Sequence, residues 1–547
     1  MVFSLKENKG AAARRRLEKV SLGALLVVLP AAVVWLRYGK PVTFLAPDAY
    51  PASTVVLGEG RYLASLEAAR SATIRRNSSG TERSWYLPWI HKDLARWRHG
   101  GIGISKAMVD KAHARVRDCT AWSQQPFWIR FQVVDGKLYV EHWDAPQGHY
   151  PAELGRGWVS AKARLPYAIL ALMDVLREFP GEIPDLDAVL GLQDSPCIVL
   201  EGNDSQQPAP PAFGFTGAPW AADLPFPDFT YYGHEVGLGL EDEKGQWLFG
   251  WDAQLDHYIH KWSSPLWDRI PRLVWRGRTT GMRDQPRKYF AVCPHELRQQ
   301  NDSGSAHLFN TPGSGGLAMG EGHIHLDTMC QYMYQAYLEA AAYSSNLKQK
   351  LACRSVVLTP YIQHYEFWSR ELRPGKHYLL VTTAGNDTEC TRAAKTMKAI
   401  NAYMFGSETS RSLLAGAAKN TSSNSSSSSS SMGADGKARS GTAAKAQQYP
   451  WGSELTPQQI ADEGRKFLEA HVRMRDVKLY LRDMLREYAQ LLDFQPVPGD
   501  KSRCYTGKRL LKEFAVPFPE DAEDVLQRYP WLAQWDPGCT RWGWGKS

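Results

Sequence analysis

The sequence predicts an α/β protein with two Rossmann-like domains, because apolar strands alternate with helical segments in both halves of the chain. In the first half, a segment with helical periodicity at Ala161–Phe179 precedes the apolar strand Ala188–Leu192. In the second half, apolar strands begin at Ser355 and His377, and a helical pattern follows at Thr388–Phe405. Such alternation is typical of parallel sheets covered by helices, so we expect two domains that face a cleft.

Composition and charge restrict the class of protein. The chain has 547 residues, enough for two or three domains, and 43% of them are hydrophobic. The net charge of +8 comes from 65 basic and 57 acidic residues that are mostly interspersed, which argues against a nucleic-acid binder and is compatible with anionic ligands. The 20 Trp and 24 Tyr residues fit a protein that stacks sugar rings on aromatic faces, although large cores would explain most of them.

None of the eight cysteines forms a CxxC pair, which argues against zinc and thioredoxin-type sites. An even number of scattered cysteines in a chain with secretory features predicts up to four disulfides, and the sequence leaves their pairing open. The cysteines are Cys119, Cys197, Cys293, Cys330, Cys353, Cys390, Cys504 and Cys539.

The N-terminal segment predicts a membrane anchor. Residues 1–19 form a basic tail, and residues 20–36 are a run of 17 residues without a charged side chain, at the short end of a membrane span. Positive charge before the span keeps the N-terminus in the cytosol, so we expect a single-pass type II protein of the Golgi or endoplasmic reticulum with the rest of the chain in the lumen. A cleaved signal or transit peptide is the competing interpretation.

The rest of the chain divides by composition. A Ser-rich segment lacks the apolar side chains that would offset its ordering entropy, so we expect it to be a disordered insertion. The predicted segments are a stem at 37–84, a first α/β domain at 85–268, a second at 269–415, the disordered insertion at 416–450 and C-terminal helices with a tail at 451–547.

Two local signals predict turns and caps. The Asp135-Gly136 pair inside an alternating apolar stretch predicts a β-hairpin. Thr456 and Gln459 have the spacing of a capping box, which predicts that a helix or helix pair begins there and runs to Leu492.

A phosphate-binding segment is predicted where a strand ends at Trp275, in the stretch LVWRGRTTGMRDQPR from Leu273. Glycine lets backbone N–H groups approach an anion, and arginine pairs with phosphate oxygens through a planar fork. A basic surface turn would have the same composition, so these residues alone do not decide between the two interpretations. The candidate donor-binding residues are Arg276, Gly277, Arg278, Thr279, Thr280 and Arg283.

With the downstream chain, this stretch resembles glycosyltransferase family 90, whose WRG-x-T-x-G-x-R signature matches from Trp275. The resemblance covers about residues 125–495 and is closest to the plant and algal branch. The further matching stretches are FPDFTYYGHE from Phe226, HIHLDTMCQYMY from His323, AYSSNLKQKLACRSVVL from Ala342, LRPGKHYLLV from Leu372 and DVKLYLRDMLREYAQLL from Asp476.

The family holds protein O-glucosyltransferases that modify EGF repeats and fungal capsule xylosyltransferases. The resemblance therefore implies a GT-B architecture and an inverting transfer of xylose or glucose from a UDP-sugar to a hydroxyl of a protein or polysaccharide. It also implies that no metal ion or other cofactor takes part. His323, His325 and Asp327 are weak evidence for a metal site.

An inverting transfer needs a base that removes the proton of the acceptor hydroxyl. The candidate is Asp194, which follows the strand Ala188–Leu192 and precedes Ser195-Pro196, as in the strand–Asp–x–Pro pattern of the family. The alternative is that Asp194 only caps the turn before the proline.

Two further segments match the family at positions that would line the site. Ser344 matches the serine that precedes the second donor-binding segment. PDFTYYGHE matches a segment that would line the cleft on the acceptor side, and a packed aromatic turn is the alternative for it. The candidate acceptor residues are Asp228, Tyr231, Tyr232 and Glu235.

Three departures from the family pattern keep a second function open. Asn346 stands where the protein O-glucosyltransferases have an arginine, Met333 replaces a lysine and Ala340 replaces a glycine. A catalytically silent luminal lectin or scaffold on the same fold is therefore the alternative to the transferase. A nucleotide-sugar hydrolase would need a water-positioning carboxylate, and no residue of the sequence suggests one.

Overall fold

The fold is seen in a computed structural model, and the described residues lie in one compact unit that begins at Gly60. Two large sheets and a separate two-stranded sheet within this unit, together with the helices, confirm the mixed α/β class. The structure describes residues 84–98, 101, 103–120, 128–142, 157–200, 209–233, 240–241, 247–248, 250–275, 326–339, 342–382, 388–406, 449–515 and 519–539.

The strands alternate with helices along most of this length. The described strands are β1 Trp128–Val134, β2 Lys137–His142, β3 Leu186–Gly191, β4 Phe213–Gly214, β5 Leu224–Pro225, β6 Leu240–Glu241, β7 Trp247–Leu248, β8 Ile270–Val274, β9 Tyr332–Ala336, β10 Val356–Thr359, β11 Leu379–Leu380 and β12 Arg503–Cys504. The described α-helices are α1 Leu87–Arg98, α2 Lys106–Thr120, α3 Gly157–Glu178, α4 Trp251–Lys261, α5 Leu347–Ala352, α6 Glu389–Phe405, α7 Pro457–His471, α8 Met474–Ala489, α9 Gly507–Phe514 and α10 Pro519–Arg528.

The first sheet is mixed, in the order β12-β2-β1-β3-β4-β5. Its centre is antiparallel at β1–β2 and β1–β3, whereas β3, β4 and β5 run parallel. The predicted hairpin at Asp135-Gly136 explains the difference from an all-parallel Rossmann sheet, because a two-residue turn can only join antiparallel strands. Both turn residues have positive φ, 50° and 70°, as this kind of turn requires.

The second sheet is parallel throughout its described pairs, in the order β11-β10-β9-β8. Within 329–351, the described residues include β9 followed by α5. The carboxyl ends of the four strands therefore meet at one edge of this sheet, which is where ligands bind in parallel α/β sheets.

The C-terminal helices form as predicted from local signals. Thr456 accepts from the backbone N–H of Gln459 at 3.3 Å, and the Gln459 side chain accepts from the N–H of Thr456 at 2.9 Å. The helical segment predicted from Thr456 to Leu492 is a pair of helices, α7 and α8, and the first of them ends before Val472. β12 then pairs with β2, so the last part of the chain completes the first sheet.

Two hydrophobic cores lie against the two sheets. The larger core covers the first sheet with α1, α2, α3 and α8, and includes the fully buried Ile169, Met173 and Leu190. The second core lies between the second sheet, α6 and α7, and includes Met333 and Met397.

Disulfides link residues that are distant in sequence, as the cysteine count predicted. The pairs are Cys119–Cys197, Cys330–Cys353 and Cys504–Cys539, and Cys390 is also disulfide-bonded.

Several predictions fall outside the described residues. The anchor at 20–36, the stem at 37–84 apart from its last residue, and nearly all of the Ser-rich segment at 416–450 are among them. In the part of the chain that the structure describes, no helix is long and apolar enough to cross a membrane. The predicted domain boundaries stay predictions.

Candidate active site

Asp194 lies just beyond the carboxyl end of β3, in the loop that the sequence singled out. All six residues of β3 are buried, whereas the Asp194 side chain is 48% exposed. Its backbone carbonyl accepts a 2.6 Å hydrogen bond from the hydroxyl of Thr216, which follows β4. The neighbouring strand thus holds the loop while the carboxylate faces outward.

Arg164 of α3 binds the Asp194 carboxylate. Its Nη1 lies 2.9 Å from Asp194 Oδ1 and 3.2 Å from the carbonyl oxygen of Leu192, to which it donates. The guanidinium also lies 4.8 Å from the centre of the Phe229 ring. Arg164 is itself only 8% exposed, so a buried cation supports a carboxylate at the surface.

Asp223 and a disulfide hold the other side of the same loop. The Asp223 carboxylate accepts from the backbone N–H of Cys197 at 2.8 Å and of Ile198 at 2.7 Å. Cys197 is also tied to Cys119 at the end of α2. Burial raises the pKa of Asp223 to about 7, although the two backbone hydrogen bonds oppose this shift.

The predicted phosphate-binding segment starts from the ligand-binding edge of the second sheet. Trp275, at the end of β8, is 2% exposed, and β8 runs parallel to β9 with Val274 opposite Gln335. The chain that follows Trp275 therefore begins at the same edge as the chain that follows β9. The predicted donor residues themselves, Arg276, Gly277, Arg278, Thr279, Thr280 and Arg283, lie outside the described residues.

Ser344 lies beyond the end of β9, at the same edge. Its backbone N–H donates to the Tyr337 hydroxyl at 3.1 Å, and its carbonyl accepts from the N–H of Leu347 at 3.3 Å as α5 begins. Asn346 precedes α5, and its side chain makes no capping hydrogen bond. The Ser344 side chain is partly exposed, so it is accessible at this edge.

Asp228, Tyr231 and Tyr232 lie in the interior rather than on an open cleft wall. Each is at most 1% exposed, and Tyr231 ends a short 3-10 helix, Phe229–Tyr231, that Asp228 caps. Asp228 Oδ1 accepts from the Thr230 N–H at 2.9 Å, and its Oδ2 accepts from the Tyr343 hydroxyl at 2.8 Å. The alternative of a packed turn thus describes their contacts, and their assignment to the acceptor stays a prediction. Glu235 lies outside the described residues.

A buried lysine joins this turn to the second sheet. Lys348 of α5 is 0% exposed, and its Nζ donates to Thr230 Oγ1 at 2.5 Å and to the Ser345 carbonyl at 3.2 Å. The same Nζ lies 3.7 Å from Asp228 Oδ1 and 4.5 Å from the centre of the Tyr231 ring. A buried charge needs such partners, so this cluster ties the first half of the molecule to the second.

The cluster reaches Asp194 through Tyr343. Burial raises the pKa of Tyr343 well above its ordinary value, and the negative charges of Asp228 and Asp194 add to that shift. Tyr343 therefore lies within electrostatic range of the candidate base, one residue before Ser344. Contacts also link the two: Arg164 pairs with Asp194 and lies against the Phe229 ring, and Asp228, the residue before Phe229, accepts from the Tyr343 hydroxyl.

Asp327 forms an internal ion-pair cluster. Its Oδ2 lies 2.5 Å from Lys261 Nζ and 3.3 Å from His257 Nε2. Burial opposes ionisation, but the hydrogen bonds from His257 and Lys261 lower the pKa of Asp327 to about 2. Within the described ranges, no group of three or more His, Cys, Asp or Glu side chains could hold a metal ion, and His323 and His325 lie outside them.

Comparison with known proteins identifies the family. The model of glycosyl transferase family 90 matches residues 79–402 and 445–511, well over half of the chain. The chain belongs to glycosyl transferase family 90. It is therefore a glycosyltransferase, as the sequence predicted. The match is interrupted around the Ser-rich segment.

Curated family-90 relatives are distant in sequence. The chain is 22% identical to O-glucosyltransferase rumi of Drosophila pseudoobscura pseudoobscura over 422 residues, which cover 75% of this chain and 78% of that protein. It is 20% identical to human protein O-glucosyltransferase 1 over 348 residues, 63% of this chain and 73% of that one. A solved structure, a GtfA/B complex, is 11% identical to this chain with a TM-score of 0.23, and the match covers 41% of this chain and 38% of that chain.

Sequence reasoning missed the residues that support the Asp194 loop. Arg164 and Asp223 are ordinary charged residues in the sequence, and only the packing of α3 and of the chain before β5 brings them to the loop. Lys348 lies in a stretch that matches the family, but its burial had no local signal. Of the three departures, Met333 is fully buried in the second core, and Ala340 lies outside the described residues.

Proposed function

We propose that this family-90 glycosyltransferase inverts the anomeric centre as it moves glucose or xylose from a UDP-sugar to a hydroxyl of a protein or glycan. Asp194 accepts the proton of the acceptor hydroxyl while that oxygen forms a bond to the anomeric carbon. The bond between the anomeric carbon and the diphosphate oxygen breaks, and UDP leaves with the electron pair.

The observation that carries the proposal is the environment of Asp194. Its carboxylate is half exposed at a strand tip, and the buried Arg164 pairs with it at 2.9 Å. A base must reach the substrate hydroxyl and keep one orientation, and this carboxylate meets both conditions. The names of the relatives, O-glucosyltransferase and protein O-glucosyltransferase, support glucose as the donor sugar and a protein as the acceptor.

The leaving diphosphate is assigned to the edge of the second sheet. In this proposal the guanidinium groups and backbone N–H groups that follow Trp275 stabilise the charge that develops on the β-phosphate, and Ser344 contacts the donor from the neighbouring strand end. Two facing sheets with the donor on the second are the GT-B arrangement. Charge stabilisation by arginine replaces a metal ion in this mechanism, so no cofactor is expected.

Acceptor and compartment belong to the same proposal. The turn that contains Asp228 supports the acceptor side from within, and Glu235 contacts the acceptor directly. The disulfides fit an oxidising compartment, so we assign the protein to the Golgi or endoplasmic reticulum lumen, with residues 20–36 as its membrane anchor.

The test is donor titration of the full-length protein by calorimetry, with UDP, UDP-glucose, UDP-xylose and GDP-mannose, each with and without Mn²⁺. We expect metal-independent binding of one UDP-sugar that is lost in Arg276→Ala and retained in Asp194→Asn. Arg115→Ala, on an exposed face of α2, is the matched control and keeps wild-type affinity.

Turnover with a recombinant EGF repeat then tests the chemistry. Loss of a general base lowers kcat by about 10²–10⁴-fold, so Asp194→Asn should bind donor and transfer it more slowly by that factor. Inversion of an α-linked UDP-sugar gives a β-linked product, which NMR distinguishes. A folded protein that binds glycans and no nucleotide sugar would overturn the proposal and favour the silent lectin or scaffold.

A further inference from the structure

Arg164 joins a buried guanidinium to an exposed carboxylate, as Arg130 also does with Asp110, whose side chain is 46% exposed. In the Arg130–Asp187 and Arg370–Asp93 pairs both side chains are at most 12% exposed, so these pairs are internal. In the Arg164–Asp194 pair the arginine side chain is 10% exposed and the carboxylate is 48% exposed. Packing thus fixes the Arg164 side chain, while the Asp194 carboxylate is available to solvent and substrate.

Contacts with described residues hold the guanidinium of Arg164. Its Nη1 donates to the Leu192 carbonyl, which belongs to the loop between β3 and Asp194, and its Cζ lies 4.8 Å from the centre of the Phe229 ring. The same Nη1 forms the 2.9 Å ion pair with Asp194 Oδ1. Because the same nitrogen bonds the loop backbone and the carboxylate, the carboxylate is oriented relative to its own strand tip.

We propose that Arg164 is a positioning residue for Asp194, an assignment that rests on the function proposed above. Arg164 occupies Oδ1, and in the described part of the chain no side chain bonds Oδ2. Oδ2 is therefore the oxygen that receives the proton of the acceptor hydroxyl. The guanidinium therefore holds the carboxylate in one orientation before the acceptor binds.

A merely structural role predicts a different result. If Arg164 only stabilised the fold, its loss would lower stability and leave the catalytic rate of the folded protein unchanged. As a positioning residue it acts through Asp194, so its loss lowers kcat only when Asp194 is present. Donor affinity depends on the second sheet and should not change.

The experiment is a double-mutant cycle on full-length protein, with donor affinity from calorimetry and kcat from transfer of labelled sugar to an EGF repeat. Arg164→Met should lower kcat about 10- to 100-fold, the loss that follows from small misplacement of a reacting group, with donor Kd unchanged. In the Asp194→Asn background the same substitution should lower kcat less than twofold. Arg164→Lys keeps the charge without the planar fork and should recover part of the rate.

Arg177→Met is the matched control, because Arg177 lies on the same helix, pairs with Asp174 and lies 4.8 Å from the ring centre of Trp531. It should leave kcat unchanged. Two outcomes would overturn the inference. One is an equal loss in kcat from Arg164→Met with and without the Asp194 carboxylate. The other is a wild-type kcat in a folded Arg164→Met protein. If Arg164→Met does not fold, the cycle is run with Arg164→Lys, and the same comparison decides. Retained activity in Asp194→Asn would instead overturn the proposed function.

Discussion

Asp194 and Asp223 lie at the same loop in different surroundings, and we expect them to have different roles. Asp194 is half exposed and paired with one arginine, whereas Asp223 is 5% exposed and accepts two backbone N–H groups of the loop. Exposure suits the first to exchange a proton with a substrate. Burial suits the second to hold the loop backbone in place, because an unsatisfied buried N–H would cost about 1–3 kcal/mol.

Asp223 should give the protein a specific pH dependence of stability. Burial raises its pKa in the folded state to about 7, from the ordinary value of 3.8. A carboxyl with a raised pKa contributes stability that is present below the unfolded value and lost as the pH rises through the folded value. We expect the free energy of unfolding to fall by up to about 1.4 kcal/mol per pH unit between these values.

The measurement is urea denaturation of wild type and Asp223→Asn from pH 5 to pH 8. The difference in unfolding free energy, wild type minus variant, should be larger at pH 5 than at pH 8. Asp118→Asn, an exposed aspartate on α2, should show a difference that is the same at both pH values. A pH-independent difference for Asp223→Asn would contradict the expectation.

At the scale of elements, the C-terminal helix α9 is positioned by close backbone contact. Gly507, its first residue, donates its N–H to the Trp535 carbonyl at 2.9 Å. A Cβ at this position would lie 1.8 Å from the Leu532 carbonyl oxygen, which is backbone and cannot move independently. Glycine is therefore required here by the approach of two elements.

We expect Gly507→Ala to destabilise the protein by about 1–3 kcal/mol, the usual cost of overpacking. Guanidinium denaturation measures the change. Gly499→Ala is the control, since a Cβ there meets only Ser502 Oγ at 3.7 Å, and it should change stability by less than about 0.5 kcal/mol. Equal effects of the two substitutions would contradict a steric cause.

At the scale of the whole molecule, the C-terminal part of the chain packs against the first sheet and adds a strand to it. Arg503–Cys504 pairs with β2, and the Tyr488 hydroxyl of α8 donates to the Asp187 carbonyl in β3 at 3.1 Å. The Tyr480 hydroxyl donates to the Pro225 carbonyl at 2.7 Å. The strand that leads to Asp194 is therefore supported by residues from the last hundred of the chain.

The Cys119–Cys197 disulfide should matter for both stability and catalysis. It closes a span of 78 residues and holds the loop after Asp194 to α2. We expect the double alanine variant to lose about 2–4 kcal/mol of stability, mainly through the entropy of the unfolded chain. Because the loop loses a tether, kcat should fall more than donor affinity.

Guanidinium denaturation and sugar transfer under matched folded conditions measure the two effects. The Cys504/Cys539 double alanine variant removes a disulfide with a span of 35 residues away from the loop, and should lose stability with little change in kcat. Unchanged kcat in the Cys119/Cys197 variant would show that the disulfide does not position Asp194.

Much of the fold followed from local sequence signals. The hairpin at Asp135-Gly136, the capped helix at Thr456 and the strand before Asp194 were predicted from turn chemistry, capping and apolar pattern. The first sheet was expected to be Rossmann-like, and its antiparallel centre follows from that same hairpin. β12 was not predicted, because a two-residue strand has no periodicity of its own.

The sequence by itself determined the family, the order of the main elements and the candidate base, because these depend on motifs and on interactions within a few residues. Only the tertiary structure decided which side chains support that base. Arg164 and Asp223 reach the loop from separate elements. The turn that begins at Asp228, predicted to line the acceptor side, is buried around Lys348. Such contacts depend on how distant elements pack, and no local pattern encodes that packing.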